Sequence, residues 1–169
     1  VLKPPTRTPA NPTTPPTRAP SPPRAEPSRT ETVDDILRQL EVANIAFNAP
    51  KSLRLHGTTE IHLLLSMKES IEQLQSRITA AGEKEGAKVR ISNQVSARLE
   101  GPGFTITKIT EDLQAVSRTE RTEWKWEVTA MQQGLQRLHL TLSIPVQINA
   151  KEIPRTIETF SRTIEVDVT

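Results

Sequence analysis

From Trp124 to Ile148 the chain alternates apolar and polar residues with few interruptions. Trp124, Trp126 and Val128 are interleaved with Lys125, Glu127 and Thr129. After Gly134, the series Leu138, Leu140, Leu142, Ile144, Val146 and Ile148 is interleaved with His139, Thr141, Ser143, Pro145 and Gln147, with Arg137 ahead of it. Successive side chains of a strand point to opposite faces, so a period of two gives each strand one dry and one wet face. That is the pattern of an antiparallel sheet rather than of a helix or a doubly covered parallel sheet. Pro145 cannot donate to a ladder, so its strand is expected to be an edge there or to bulge.

The same period continues on either side. Val89 and Ile91, then Val95, Ala97 and Leu99, alternate with polar neighbours, and Gly101-Pro102-Gly103 reads as a turn before Phe104 and Ile106. Upstream, Ile45-Ala46-Phe47 reads as a short strand. Leu53 to Leu65 reads as a second strand broken at Gly57. Two stretches have helical spacing. Val33, Ile36, Leu37 and Leu40 predict a short helix within residues 31–43, with Thr32 as cap and Asp34 and Asp35 at its positive end. Ile71, Leu74 and Ile78 predict a helical insertion near 66–82, with Ser66 to Glu69 as a capping box and Gly82 as the stop. Residues 83–86 read as a loop, 111–123 as a long exposed connection, 149–152 as a turn, and Phe160 to Val168 as the last strand.

Seven or eight strands with one inserted helix predict a mainly β fold, an antiparallel immunoglobulin-like β-sandwich over 44–169. The alternative is an α+β open antiparallel sheet with one packed helix. Ten of the fourteen prolines lie within residues 1–30, from Pro4 to Pro27. Proline fixes φ and lacks an N–H, and the segment has almost no large apolar side chains. It is therefore expected to be a disordered Pro/Thr/Arg-rich tether. Pro20 to Arg24 resembles a ligand for an aromatic groove, although a plain spacer is the simpler reading. Val1 begins inside this stretch, so a fragment or processed form is expected, and a membrane helix or another domain could precede it. The tether holds five cations against Glu26, a net +4 within a chain of net +2, which leaves the folded unit at −2. The basic pI thus belongs to the tether, and the folded domain is not expected to bind nucleic acid.

No cysteine is present, which excludes disulfides and thiolate metal sites. No apolar run approaches the ~20 residues that span a bilayer. The histidines are His56, His62 and His139, without the carboxylate spacing of a metal site. Glu111, Asp112, Glu120 and Glu123 cluster without the spacing of a calcium loop. No catalytic, cofactor or metal residue is assigned. With five aromatics and no tyrosine in the chain, Trp124 and Trp126 are expected in the core rather than on a binding platform.

The run Trp124 to Thr129, Gly134, then Leu138 to Leu142 resembles the final hairpin of uncharacterised bacterial β-sandwich, immunoglobulin-like accessory domains. In these a W-x-W-x-V-x-P strand leads through a glycine turn into L-x-L-x-L. Ala130 stands where the pattern has proline. Asn48-Ala49-Pro50 and Ile164 to Val168 resemble the start and end of such domains. The resemblance implies a module appended to membrane-anchored or effector-associated bacterial proteins, and no catalytic residues. The expected function is non-catalytic: a protein-interaction or sensing module on a Pro-rich linker. Its expected contact surface includes Lys125, Glu127, Arg137, His139, Thr141 and Pro145. The partner is expected to be a protein, and a membrane would be reached only through an upstream anchor. The expected place is membrane-tethered or extracytoplasmic, with an intracellular effector-associated role as the alternative. Two other functions are kept: a hydrolase using His56 or His62 with the acidic loop, and nucleic-acid contact through the basic tether.

Overall fold

The computed structural model describes residues 33–168, so the tether and the Thr32 cap lie outside the described residues. Two helices, α1 (Val33–Arg38) and α2 (Ile71–Arg77), accompany ten strands. The first five strands are β1 (Glu41–Ala49), β2 (Ser52–Arg54), β3 (Thr58–Ser66), β4 (Glu83–Ile91) and β5 (Gln94–Glu100). The others are β6 (Phe104–Lys108), β7 (Leu113–Ala115), β8 (Thr122–Ala130), β9 (Gly134–Ile148) and β10 (Lys151–Asp167). One sheet has the order β4-β1-β3-β8-β6 and the other β2-β10-β9-β5-β7. Every ladder is antiparallel except β2 on β10, which is parallel. The inward residues of both sheets form one continuous core, with Trp124 and Trp126 fully buried in it as expected. The protein is therefore mainly β, with two sheets whose inward residues share one core.

Several local expectations are corrected. The tryptophan strand and the leucine strand do not form a hairpin: β8 pairs with β3 and β6, whereas β9 pairs with β10 and β5. Alternation says which residues face inward, and it is the same whether two strands pair or face each other across a core. Gly134, at φ +95°, turns the chain from one sheet to the other. Leu53 to Leu65 is two strands in different sheets, joined by a turn in which His56 takes a left-handed φ of 67°. Residues 83–86 are strand because they pair with Ala46 to Ala49. The 111–123 connection contains β7, and β10 begins already at Lys151, after a turn at Asn149 and Ala150. The strand carrying Pro145 is interior, but the β5 ladder on it stops at Ser96–Ser143. Pro145 therefore lies where β9 has a partner on one side only, opposite Pro154.

The helical insertion is shorter than predicted, and its cap is Ser70, not Ser66. The Ser70 hydroxyl accepts from Gln73 N, and the Gln73 side chain accepts from Ser70 N. Ser66 still belongs to β3, paired with Asn44, and its hydroxyl accepts from the N–H groups of Lys68 and Glu69. The predicted helix within 31–43 likewise ends at Arg38, because Glu41 already pairs with Ile91.

Both β3 and β4 run antiparallel to β1, one on each side of it, so they are parallel to each other and α2 is their crossover. Leu74 and Ile78 bury themselves on Ala46 and Leu64, on the outer face of the first sheet. Small residues beneath the helix make this possible. A Cβ on Gly86 would stand 2.2 Å from Cγ2 of Ile71. Asn48 secures the same corner. It is 1% exposed, donates from Nδ2 to the carbonyls of Glu60 and Ala81 at 2.8 Å each, and accepts from His62 N at 2.7 Å. Its side chain continues the β1–β3 pairing where the backbone ladder, which ends at Phe47–Leu63, leaves off.

Both edges on one side of the molecule are open: β4 pairs only with β1, and β10 meets β2 only at Glu165–Asp167. At one end Arg162 closes the seam between them. Its Nε and Nη2 donate to the two Glu85 carboxylate oxygens at 2.6 and 2.5 Å, and the guanidinium lies over the rings of Phe47 and Phe160 at 5.7 and 5.9 Å. The hydrogen bond to Glu85 raises the Arg162 pKa above its ordinary value. Arg162 stands on the inward face, opposite Leu138, so an arginine in an apolar register position serves here as a cover for the core edge.

Candidate interaction surface

The six residues expected to form a contact surface divide between two faces. Lys125 and Glu127 project from the outer face of the first sheet, opposite His62 and Glu60 of β3. Arg137, His139, Thr141 and Pro145 project from the outer face of the second sheet. Since the core separates these faces, the structure does not bring the six together.

On the first sheet, Lys125 and His62 each lie beside a carboxylate. Lys125 Nζ is 2.9 Å from Glu123, and this hydrogen bond raises the Lys125 pKa above its ordinary value. His62 Nε2 lies 3.1 Å from Glu60 Oε2. Glu111 and Asp112 are drawn instead toward Lys108, at 3.7 and 4.0 Å. His56 is exposed on its turn, where its N–H donates to the Ala130 carbonyl. The histidines and the acidic connection thus form no common site, and among the described residues no group of three or more His, Asp or Glu side chains is placed to hold a metal ion. Part of the acidic connection instead supports the core, since the Asp112 carbonyl accepts from the indole N–H of the buried Trp124 at 2.8 Å. At the end of this face, burial pushes the Glu69 carboxyl up, but hydrogen bonds from Arg77 and Arg121, at 2.8 Å each, outweigh it and hold the pKa below the ordinary carboxylate value.

The second sheet presents something different. Its register sets rows of outward side chains across β5, β9 and β10: Glu100–His139–Ser161, Arg98–Thr141–Thr159, then Ser96–Ser143–Thr156. The Pro145–Pro154 pair follows, and Leu113 of β7 stands beside Ser96. Short hydroxyl side chains between Leu113 and the proline pair leave an open groove of about 500 Å³. The groove has the two stiff prolines with Glu152 beside them at one end, a hydroxyl-lined floor, and Arg98 and Glu100, 3.6 Å apart, at the other end. His139 Nδ1 and the Ser161 hydroxyl are hydrogen-bonded at 2.8 Å, which fixes that ring at the Arg98–Glu100 end. Thr141 and Pro145 line the groove, while Arg137 and His139 extend the same face beyond it.

Ser96, Arg98, Pro154 and Thr156 were not among the expected contact residues. Alternation with Val95, Ala97 and Leu99 marks the first two as outward, but only the register of β5 on β9 sets them beside Thr141 and Ser143. Compared with known proteins, the chain matches no family model, and no curated protein sequence matches it.

Proposed function

We propose that this is a non-catalytic protein-interaction module that receives its partner on the outer face of the second sheet. The carrying observation is the groove between Leu113 and the Pro145–Pro154 pair, with hydroxyl groups along its floor and a charged pair at one end. Such a surface offers preformed apolar contact beside both donors and acceptors, the mixed chemistry of a protein contact rather than of a small enclosed ligand site. Its proline pair is stiff, so little side-chain entropy is lost when it is covered. In this reading the domain is an immunoglobulin-like accessory unit of a larger bacterial protein, and residues 1–30 are the linker that displays it. The residue pattern of the Trp124 to Leu142 run suggests that part, although its two strands lie in different sheets rather than in one hairpin.

The test is cross-linking and capture from a bacterial lysate with the full chain and two charge-altered forms. Ser143→Arg fills the groove floor, and Lys125→Glu changes the opposite face. A partner held by the wild type and by Lys125→Glu but lost on Ser143→Arg is the expected result. Capture indifferent to Ser143→Arg, with the fold intact by circular dichroism, refutes the assignment.

A further inference from the structure

A second surface lies on the open side of the molecule, away from the groove. Past the Arg162–Glu85 closure the two free edges diverge, and a cleft of about 460 Å³ opens between them. Consecutive residues of both edges line it, Lys88-Val89-Arg90 of β4 and Arg155 to Glu158 of β10, so it is bounded by backbone edges. Its apolar lining is Leu37 and Leu40 from the α1 end, Val42, Val89 and Ile157. Three cations, Lys88, Arg90 and Arg155, surround this lining, and no carboxylate of the described residues pairs with any of them. Glu158 is the one acidic residue on the rim.

The two edges differ in a way that decides what can dock. The β10 edge is blunted: Pro154 has no N–H, and the register shifts between Thr156 and Glu158. Proline and bulges are the devices that prevent a strand from accepting another. The β4 edge over Ala87–Ile91 has neither, and it keeps a regular ladder with β1 on its other side. A strand that offers main-chain groups on one side and alternating side-chain sites along it is a template for strand addition.

We propose that the β4 edge receives an extended acidic segment of a partner protein as a sixth strand of the first sheet. Its apolar residues enter the cleft at Val89, Ile157 and Leu40, its carboxylates meet Lys88 and Arg90, and Arg155 on the facing wall adds to the positive field around the segment. Charge selects the occupant: a basic or neutral strand leaves three cations desolvated beside an apolar surface without a counter-charge. This inference stands apart from the groove on the second sheet, and either surface can fail without the other.

The experiment titrates the isotope-labelled full chain with a short acetylated peptide of alternating valine and glutamate, and with its valine–lysine counterpart. The acidic peptide should shift amide signals of Ala87–Ile91 and Arg155–Glu158 and slow hydrogen exchange on β4, while the basic peptide should not bind. Lys88→Glu with Arg90→Glu should weaken the acidic peptide by about tenfold or more, from the loss and reversal of two exposed ion pairs. Both positions are exposed and outside the core, so an unchanged thermal midpoint is expected for this variant. Arg155→Glu, on the other wall, gives an independent second reading. Equal binding of the two peptides, shifts confined to other faces, or unchanged affinity in a folded double variant would overturn the proposal. So would phosphatidylserine vesicles perturbing these residues where the acidic peptide does not.

Discussion

Asn48 offers the sharpest test of how the domain is held together. Its side chain makes three hydrogen bonds, to Glu60 O, Ala81 O and from His62 N, in a site with 1% exposure. Truncation to alanine leaves two carbonyls and one N–H without their partner, and little room for water. At about 1 kcal/mol net for each bond lost, Asn48→Ala should cost roughly 2–4 kcal/mol, lowering the thermal midpoint by about 10 °C. Asn48→Asp discriminates further. A carboxylate accepts from His62 N, but it faces the Glu60 and Ala81 oxygens with no donor. At neutral pH this variant should therefore be at least as unstable as the alanine form. Burial and the two carbonyls disfavour its charged form, so its folded pKa lies above the unfolded one. Such a carboxyl binds more protons folded than unfolded, and the variant should recover stability relative to wild type as pH falls toward the unfolded value near 4. Urea denaturation at pH 7 and pH 5 measures both effects. A loss below about 1 kcal/mol for Asn48→Ala, or no relative recovery of Asn48→Asp in acid, refutes the account of this corner.

The other stability predictions concern the same helix-covered face. Gly86→Ala places a methyl group 2.2 Å from Ile71 Cγ2, so it should destabilise by about 1–3 kcal/mol, and adding Ile71→Ala should relieve much of that loss in a double-mutant cycle. Glu69 has a folded pKa held below its unfolded value, so its stabilisation is present above the unfolded pKa and is lost as pH falls through the folded one. Glu69→Gln should cost about 1 kcal/mol at pH 7 and flatten the acid limb of stability against pH, which denaturation across pH 2–7 reads directly.

What the sequence discloses here is orientation more than pairing. The inward positions of β8 and β9 follow from period two, and Trp124 to Ala130 and Leu138 to Val146 are buried at alternate positions. Whether those strands pair or face each other depends on partners far along the chain, such as Ile61 for Trp126 and Leu99 for Leu140. Edge strands are the least legible. The first half of β10 and the start of β4 bury little, so Lys151 to Thr159 and Glu83 to Gly86 lack an apolar rhythm, and they are strands because β9 and β1 supply their ladders. The misplaced helix cap has a similar cause. Ser66 and Ser70 are each followed three residues later by a side chain able to complete a capping box, Glu69 or Gln73. Local chemistry cannot choose between them, and the Asn44–Ser66 pairing does. The groove on the second sheet was half visible for the same reason: Thr141 and Pro145 carry a readable wet face, while Ser96 and Thr156 join it only through register.

The cations on the β4 edge have a second consequence, which concerns copies of the chain itself. An open edge without proline or bulge invites its own duplicate, and a two-fold antiparallel pairing centred on Val89 would set Lys88 of each copy against Arg90 of the other. Like charges directly opposite on neighbouring strands oppose pairing, so the residues that favour an acidic strand also reject self-association. Lys88→Thr with Arg90→Thr removes the repulsion and leaves β-favouring side chains at both positions. The double variant should show a concentration-dependent dimer in sedimentation velocity, while the native chain sediments as a monomer at the same concentrations. The contact is one short strand pair, far smaller than the ~1,600 Å² of a standard interface, so the dimer should be weak and appear only at the highest concentrations. A native chain that already pairs through this edge, or a double-threonine form that stays monomeric at every concentration, would show that charge is not what keeps the β4 edge free.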